Sequence, residues 1–400
     1  MIFESKIVTL KIVNFGILPL SKIKKITVLG SGIMGHGIAQ ISAMSAYDVT
    51  LRDVEQRFLD NAMNKIRWSL DKLVEKNKIN KQESDKIYDK ITPVVDLKEA
   101  LTDTDLLIEA VPEDLKLKKR VYSEVDQFSQ EKTIYSSNTS TLPISEISQL
   151  TNRPDKFIGL HFFNPPQLMK LVEVIPGANT DKSIVDLGIN FVKALGKNPI
   201  LCNKDVPGFI VNRIFIPLVH EAAYCLDSDG KSMTQIDSSV KFKMFLPMGI
   251  FELADYTGLD VIHKATVEMY SRDKNVVNPH PKIEYLFSTG KYGKKSGDGF
   301  YSYGDKNYER IQLSEEESKQ YDPIRILSVA INNASWLISN NVCTREDLEL
   351  ALKLGMGMKK ELFKIGEDFD FKRIENTLND LKERNGSFYE PDPYLKSISA

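Results

Sequence analysis

The sequence contains five histidines, and His161 has the neighbours that a proton-transfer reaction needs. It lies within the predicted strand FIGLHFFNP, and Glu173 follows in the next predicted strand. A histidine can take a hydroxyl proton near neutral pH, and a carboxylate on its second ring nitrogen would fix the tautomer and stabilise the imidazolium. The pair therefore suits oxidation of an alcohol by hydride transfer, although the residue types alone are equally consistent with a hydrogen-bonded core histidine.

A glycine-rich turn indicates a partner for such a reaction. Gly30, Gly32 and Gly35 form a GxGxxG motif between the β-branched run KKITVLG and a helical segment. This arrangement is typical of a dinucleotide site, because closely spaced glycines and a helix N-terminus can accommodate a pyrophosphate. Asp53 ends the next predicted strand, where a carboxylate can accept hydrogen bonds from the adenosine ribose. The pattern predicts NAD, although neighbouring Arg52 keeps NADP open, and a turn that only packs helix on sheet is the less favoured alternative.

The segment after Asp53 is predicted to be a long helix with two distinct faces. Apolar residues recur three and four positions apart and are expected to face the core, namely Phe58, Ala62, Ile66, Leu70 and Leu73. The other face carries Lys65, Ser69, Lys72 and Lys76. Such a row can bind phosphates, but its spacing alone favours an ordinary solvated lysine face.

Composition limits the classes of protein to which this chain can belong. Its 400 residues are 42% hydrophobic and 27% charged, with 53 Lys and Arg against 55 Asp and Glu. This balance excludes a disordered or fibrous chain, and it gives no overall electrostatic field for nucleic acid. Three dispersed cysteines and the lack of a membrane-length apolar segment predict a cytoplasmic protein without disulfides, metal sites or membrane contact.

Strand and helix patterns alternate up to about residue 204, which predicts a mostly parallel, doubly wound sheet of the Rossmann type. The predicted strands are KKITVLG, DVTL, DLLIEAVPE, TIYSSNTS, FIGLHFFNP, LVEVIPG and NPILCN. Glu113, Ser140, Asn164 and the turn at Gly30 follow strand ends and are expected to share one crevice. The predicted fold class is α/β, with an NAD-binding domain over residues 24–204 and an all-α region after it. Residues 1–23 are interpreted as an extension that lacks a signal-peptide pattern.

The helical region is predicted to contain two related modules, residues 205–304 and 322–400, joined by a solvated linker at 305–321. The sequence repeats at an offset of 112 residues, which pairs Arg213 with Arg325, Ile236 with Leu348, Val240 with Leu352, Met244 with Met356, Phe251 with Phe363 and Leu253 with Ile365. A fixed offset of this kind is typical of a duplicated unit that packs on its twin.

Seven segments taken together resemble the L-3-hydroxyacyl-CoA dehydrogenase family. They are GSGIMGHGIAQ, IEAVPEDLKLK, SNTST, GLHFFNPPQLMKLVEV, KDVPGFIVNR, LPMGIFELADYTGLD and YGKKSGDGFY, in the expected order over about residues 24–304. The resemblance implies reversible, NAD-dependent oxidation of a (3S)-3-hydroxyacyl-CoA thioester to the 3-ketoacyl-CoA. Ile250 stands where the family usually has proline, and the second helical module resembles the doubled C-terminal region of multifunctional fatty-acid oxidation proteins.

The resemblance also assigns roles to individual residues. His161 is implied to be the catalytic base, Glu173 its partner, and Ser140 and Asn212 the groups that hold the substrate oxygen. The implied cofactor contacts are Gly30, Gly32, Ile33, Met34, Gly35, Asp53, Glu113, Lys118, Asn164 and Lys295. The implied coenzyme A and substrate contacts are Ser69, Lys76 and Ser140, which reverses the interpretation of the lysine face.

Two other functions stay open at this point. A dehydrogenase of a hydroxy acid or polyol without coenzyme A would share the glycine turn and the histidine–glutamate pair. A non-catalytic, crystallin-like dinucleotide-binding protein would not need Ser140, His161, Glu173 and Asn212 together, so their joint presence argues against it. Single-module members of the resembled family dimerise through the helical region, so the second module predicts either a monomer with an internal pseudo-dimer or a homodimer.

Overall fold

The computed structural model describes residues 23–304 and 309–400. Its eight strands are β1 (Lys25–Leu29), β2 (Asp48–Arg52), β3 (Ile91–Val94), β4 (Leu106–Glu109), β5 (Ile134–Ser137), β6 (Phe157–Phe162), β7 (Leu171–Pro176) and β8 (Asn198–Leu201). They form one sheet in the order β3-β2-β1-β4-β5-β6-β7-β8. All neighbouring pairs are parallel except β6 and β7, which are antiparallel. The predicted mostly parallel sheet is confirmed.

Helices cover both faces of this sheet. They are α1 (Gly35–Met44), α2 (Gln56–Glu75), α3 (Lys81–Asp89), α4 (Leu97–Ala100), α5 (Leu115–Phe128), α6 (Ile144–Ser148) and α7 (Lys182–Ala194). On one face Val28 packs in the same core as Ile38 of α1, and on the other Leu107 packs with Tyr122 of α5. A parallel sheet buried on both faces explains why its strands are continuous apolar runs.

Two local predictions about this region were wrong or incomplete. Strand β3 was missed, because it is a four-residue edge strand with exposed central residues, one of which is Pro93. On α2, Phe58 is 39% exposed, whereas Leu59 beside it is fully buried with Ala62, Ile66 and Leu70. The helical period was therefore correct, but its first core residue was assigned one position too early. The proposed extension at 1–23 lies outside the described residues except for Ile23, which is buried.

The second half of the chain is helical. It contains α8 (Val211–Ser228), α9 (Met233–Lys243), α10 (Ile250–Thr257), α11 (Leu259–Arg272), α12 (Pro281–Ser288), α13 (Glu315–Ser318), α14 (Ile324–Ser339), α15 (Arg345–Gly355), α16 (Leu362–Phe369), α17 (Phe371–Asn385) and α18 (Pro393–Ile398). The predicted fold class, a Rossmann-type sheet followed by an all-α region, is confirmed.

Helices α15, α16, α17 and α18 each begin 112 residues after α9, α10, α11 and α12 respectively. The correspondence extends to side chains. Asp237 of α9 accepts the backbone N–H groups of Phe251 and Glu252, and Glu349 of α15 accepts those of Leu362 and Phe363. Helix α14 packs against α8, so the two modules meet through corresponding helices.

The segment between the modules is not simply a solvated linker, contrary to the prediction for 305–321. Its second part forms α13, which packs against α9, and Ser318 and Tyr321 are buried. The Glu317 carboxylate accepts hydrogen bonds from the hydroxyls of Thr234 and Ser238, which fixes the segment to the first module. The charged sequence was misleading because Glu317 contacts the first module, whereas Glu315 and Glu316 beside it are exposed. Residues 305–308 lie outside the described part of the chain.

Candidate active site

The antiparallel pairing of β6 with β7 places His161 directly opposite Glu173. The imidazole Nδ1 lies 2.7 Å from Oε2 of the glutamate, and both side chains are buried. The other carboxylate oxygen, Oε1, accepts the backbone N–H groups of Ile210 and Val211 at 3.2 and 2.9 Å. These groups lie at the start of α8, where backbone N–H groups without an intrahelical partner are available to hold the carboxylate. The carboxylate is thereby oriented to accept the Nδ1–H of the imidazole and to leave Nε2 as the acceptor.

Two aromatic rings enclose the imidazole. The ring of Phe163 lies 4.5 Å from that of His161, and the ring of Phe209 lies 5.9 Å away, between centroids. Within the described residues, no hydrogen bond to Nε2 is observed. Apolar walls and a nitrogen without a protein partner suit a base that must receive a proton from a bound hydroxyl.

Ser140 and Asn212 lie together, as the resemblance implies. The side-chain amide of Asn212, on α8, donates to the Ser140 carbonyl oxygen at 3.2 Å. Ser140 also donates its backbone N–H to Oε1 of Glu113 at 2.9 Å. These contacts connect the loop after β5 with the loop after β4 and with α8, the first helix of the helical region. The contact that positions Asn212 is with the Ser140 backbone and not with its hydroxyl.

A buried ion pair between Lys118 and Glu109 lies next to Glu113. The sequence predicted a role for Lys118 but none for Glu109. Lys118 is 1% exposed, and its ammonium lies 2.7 and 2.8 Å from the two carboxylate oxygens of Glu109 and 3.3 Å from Glu113. Burial disfavours the charged Glu113, but Lys118 and the donors from Thr139 and Ser140 outweigh it and hold its pKa below the usual value. Glu109 was missed; an acid at the end of an apolar strand nine residues before a lysine was the available signal.

The glycine turn has the shape that a pyrophosphate requires. A Cβ atom at Gly35 would lie 1.7 Å from the Gly30 carbonyl oxygen, so helix and strand approach too closely for any side chain there. A Cβ at Gly32 would meet nothing within 4 Å, so this position faces open space. Ile33, next to it, is 67% exposed and Met34 is partly exposed. The residues therefore fit a dinucleotide lying over an open glycine face.

Asp53 follows β2 and lies against this turn. Its Oδ2 accepts hydrogen bonds from the backbone N–H and the hydroxyl of Ser31, both at 2.7 Å. The guanidinium of Arg52, a possible partner for a 2′-phosphate, instead donates to the carbonyl of Val95, the residue after β3. The acid at the ribose position and the engaged arginine both fit NAD.

Asn164 lies in the loop between β6 and β7, and its side chain is exposed. Two contacts missed by the sequence reasoning hold this region. The Asn138 side chain accepts the backbone N–H of Phe162, beside His161. Farther along the loop, Gln167 donates to Gln40, which in turn donates to the hydroxyl of Ser69 on α2. The loop and the implied coenzyme A residue Ser69 are thus connected through buried Gln40.

Two further residues that the resemblance assigns to ligand binding, Lys76 and Lys295, show no contact with His161 among the described residues. Lys76 caps the C-terminal end of α2 and is exposed. Lys295 is 48% exposed and pairs with Asp260 in the helical region. Their roles stay predictions.

The described part of the chain has neither a cluster of metal ligands nor a membrane-spanning helix. No group of three or more His, Cys, Asp or Glu side chains could hold a metal ion among those residues. None of their helices combines the length and apolar character needed to cross a bilayer.

Comparison with known proteins identifies the family. Residues 25–206 match the model for the 3-hydroxyacyl-CoA dehydrogenase NAD binding domain, and residues 208–303 match that for the family's C-terminal domain. Hydroxyacyl-coenzyme A dehydrogenase, mitochondrial, of Homo sapiens is 39% identical over 288 residues, covering 70% of this chain and 91% of that protein. The probable 3-hydroxybutyryl-CoA dehydrogenase of Deinococcus radiodurans is 38% identical over 282 residues, covering 70% and 100%.

The second helical module also has a structural counterpart. The crystal structure of 3-hydroxybutyryl-CoA dehydrogenase from Escherichia coli K12 covers 94% of this chain and 98% of its own, with a TM-score of 0.84 at 24% identity. At that identity the likeness concerns the fold, which includes both helical modules. With its NAD-binding domain and C-terminal domain matched in order, the chain belongs to the 3-hydroxyacyl-CoA dehydrogenase family.

Proposed function

We propose that this protein catalyses the reversible, NAD-dependent oxidation of a (3S)-3-hydroxyacyl-CoA to the corresponding 3-ketoacyl-CoA. The observation that carries the proposal is the buried His161–Glu173 pair, held by two backbone N–H groups of α8. A base oriented in this way is what removal of a hydroxyl proton requires, and the family's named members support the substrate class.

Each polar residue of the site has a separate role in the proposed reaction. When bound, NAD accepts the hydride that leaves the hydroxyl-bearing carbon. His161 takes the hydroxyl proton at Nε2, and Glu173 stabilises the resulting imidazolium through Nδ1. Ser140 and Asn212 hold the substrate oxygen near the imidazole. The aromatic rings of Phe163 and Phe209 exclude water from the histidine.

The cofactor site consists of the turn Gly30, Gly32, Ile33, Met34 and Gly35, together with Asp53, Glu113, Asn164 and Lys295. Lys118 acts on the cofactor through Glu113, because its ammonium is buried between two carboxylates. Coenzyme A contacts Ser69 on α2 and Lys76 at the C-terminal cap of that helix, where an exposed lysine suits a phosphate.

The proposed units are an NAD-binding domain at 24–204, a first helical domain at 205–304 and a second helical module at 322–400. We assign the protein to the cytoplasm. The α8–α14 contact supports a monomer whose two modules form an internal pseudo-dimer.

The test is formation of NADH, followed by absorbance, with purified protein, NAD and (S)-3-hydroxybutyryl-CoA. Parallel reactions contain free 3-hydroxybutyrate, a longer 3-hydroxyacyl-CoA, or NADP in place of NAD. We expect turnover with the thioesters and NAD. Turnover of the free acid at an equal rate would replace the proposal with the hydroxy-acid alternative. No turnover despite measurable NAD binding would favour the non-catalytic alternative.

A further inference from the structure

Two corresponding arginines lie at the interface between the modules, but only one of them pairs with a buried carboxylate. Arg325, on α14, pairs through Nε with the Glu221 carboxylate of α8, and its Nη1 donates to Ser228. Glu221 also accepts the hydroxyl hydrogen of Tyr389. On this side of the module interface, a partly buried guanidinium is neutralised by a buried carboxylate.

Arg213 is the counterpart of Arg325 on α8, and the repeat places Asn333 where the matching glutamate would stand. Arg213 is 2% exposed, and among the described residues its Nε and Nη1 have no hydrogen-bond partner. Its Nη2 lies 3.8 Å from Asp273, and its guanidinium carbon lies 3.4 Å from the centre of the Trp336 ring. Burial lowers the pKa of Arg213 to about 10, so the guanidinium still carries its charge at neutral pH.

A cavity of about 660 Å³ opens beside this arginine, between the modules. Arg213, Trp336, Phe388 and Asn333 contribute to its lining, which includes none of the residues assigned above to the active site. Its volume falls in the range of small-molecule sites, and it combines an aromatic surface with a small number of polar groups.

The charges around the cavity restrict the ligand. Three carboxylates line it, and each already has partners of its own. Asp273 accepts the Asn275 backbone N–H, Asp392 accepts the Ser339 hydroxyl and the Tyr394 N–H, and Glu390 pairs with Lys382 and Lys396. Arg213 is the one cationic side chain among the described lining residues. A multiply charged anion would be repelled, whereas a single carboxylate would match one guanidinium.

We propose that the cavity binds a small organic monocarboxylate, whose carboxylate takes the place at Arg213 that Glu221 occupies at Arg325. The site is independent of the proposed reaction. Its ligand links the two modules across their interface, with the apolar part of the acid against Trp336 and Phe388.

The experiment measures the thermal unfolding of the full chain with sodium propionate or sodium benzoate, and with sodium chloride at the same ionic strength. We expect both carboxylates to raise the melting temperature above the chloride control, because a ligand of the folded state stabilises it. Asn333→Glu supplies the missing carboxylate internally. It should raise the melting temperature without ligand and weaken the binding of benzoate by roughly tenfold or more. Asn376→Glu, the same change on the exposed face of α17, is the matched control and should do neither.

A wild-type chain that responds equally to the carboxylates and to chloride would overturn the proposal. So would a carboxylate effect of unchanged size in Asn333→Glu, because the ligand would then lie elsewhere. Arg213→Gln gives a second measurement if Asn333→Glu does not fold, and it should lose the response to benzoate.

Discussion

His161 and Glu173 are cross-strand partners in the single antiparallel pair of an otherwise parallel sheet, with Nδ1 2.7 Å from Oε2. Because the second oxygen of Glu173 accepts two N–H groups at the start of α8, the same carboxylate joins the sheet to the helical region. Orientation of the imidazole therefore depends on the position of α8. The site requires both parts of the chain to be docked together.

Replacement of Glu173 by glutamine should reduce turnover by roughly 10²- to 10⁴-fold. The glutamine oxygen must accept the α8 N–H groups, so its NH₂ group faces Nδ1 and leaves the proton on Nε2, the wrong tautomer for a base. Steady-state NADH formation measures the loss, while the dissociation constant for NAD should change little. Glu124→Gln, at an exposed glutamate of α5, is the control. Activity close to wild type in Glu173→Gln would remove this carboxylate from the mechanism.

His161→Gln tests the base itself. We expect turnover to fall by roughly 10²-fold or more, because glutamine cannot take the hydroxyl proton. Binding of NAD, measured by calorimetry, should be nearly unchanged, since His161 has no contact with the glycine turn. If the variant oxidises substrate at the wild-type rate, another group must be the base.

Lys118→Met should destabilise the fold by about 3–5 kcal/mol, because it leaves the Glu109 carboxylate buried without its counter-charge. Chemical denaturation followed by circular dichroism measures this loss. Lys119→Met changes the exposed neighbour on the same helix and should have little effect. The double variant Glu109→Leu with Lys118→Met should recover part of the stability. A single variant as stable as the wild type would show that Lys118 does not stabilise the buried Glu109 carboxylate.

Asp255 should make stability depend on pH. It is 1% exposed, and burial raises its pKa to about 6 despite hydrogen bonds from Phe300, Tyr301 and Tyr303. Since the folded-state pKa exceeds the unfolded one, the stabilising contribution is complete below about pH 4 and is lost as the pH rises through about 6. Its total is roughly 2–3 kcal/mol.

Asp255→Asn cannot titrate, so its deficit in melting temperature relative to wild type should be larger near pH 4.5 than near pH 7.5. Thermal unfolding across this range measures the difference. A deficit that is the same at every pH would mean that Asp255 keeps an ordinary pKa in the folded protein.

The assembly state follows from the contact between α8 and α14. Because the second module already covers the face of α8 that another subunit would need, we expect a single species at the chain mass of 45.3 kDa. Light scattering after gel filtration measures this mass. A species of twice the mass at micromolar concentration would place a further interface elsewhere on the surface.

The spacing of residues along the chain was sufficient to predict those elements that follow a local or periodic pattern. The glycine motif, the alternation of strand and helix and the offset of 112 residues are all local or periodic, so they specify the sheet class and the paired helices before folding is considered. Edge strand β3 escaped this reasoning because four residues with a proline carry too little pattern.

Only the tertiary structure decided which of these residues meet. The sequence by itself determined that His161 and Glu173 lie on successive strands, but their contact depends on an antiparallel register that a one-residue shift would destroy. It likewise determined that Arg213 and Arg325 correspond, but not that one faces a carboxylate and the other a cavity. Contacts between side chains on elements distant in sequence depend on packing. Burial of the apolar faces fixes both the strand register and the neighbouring element, and these together decide which side chains meet.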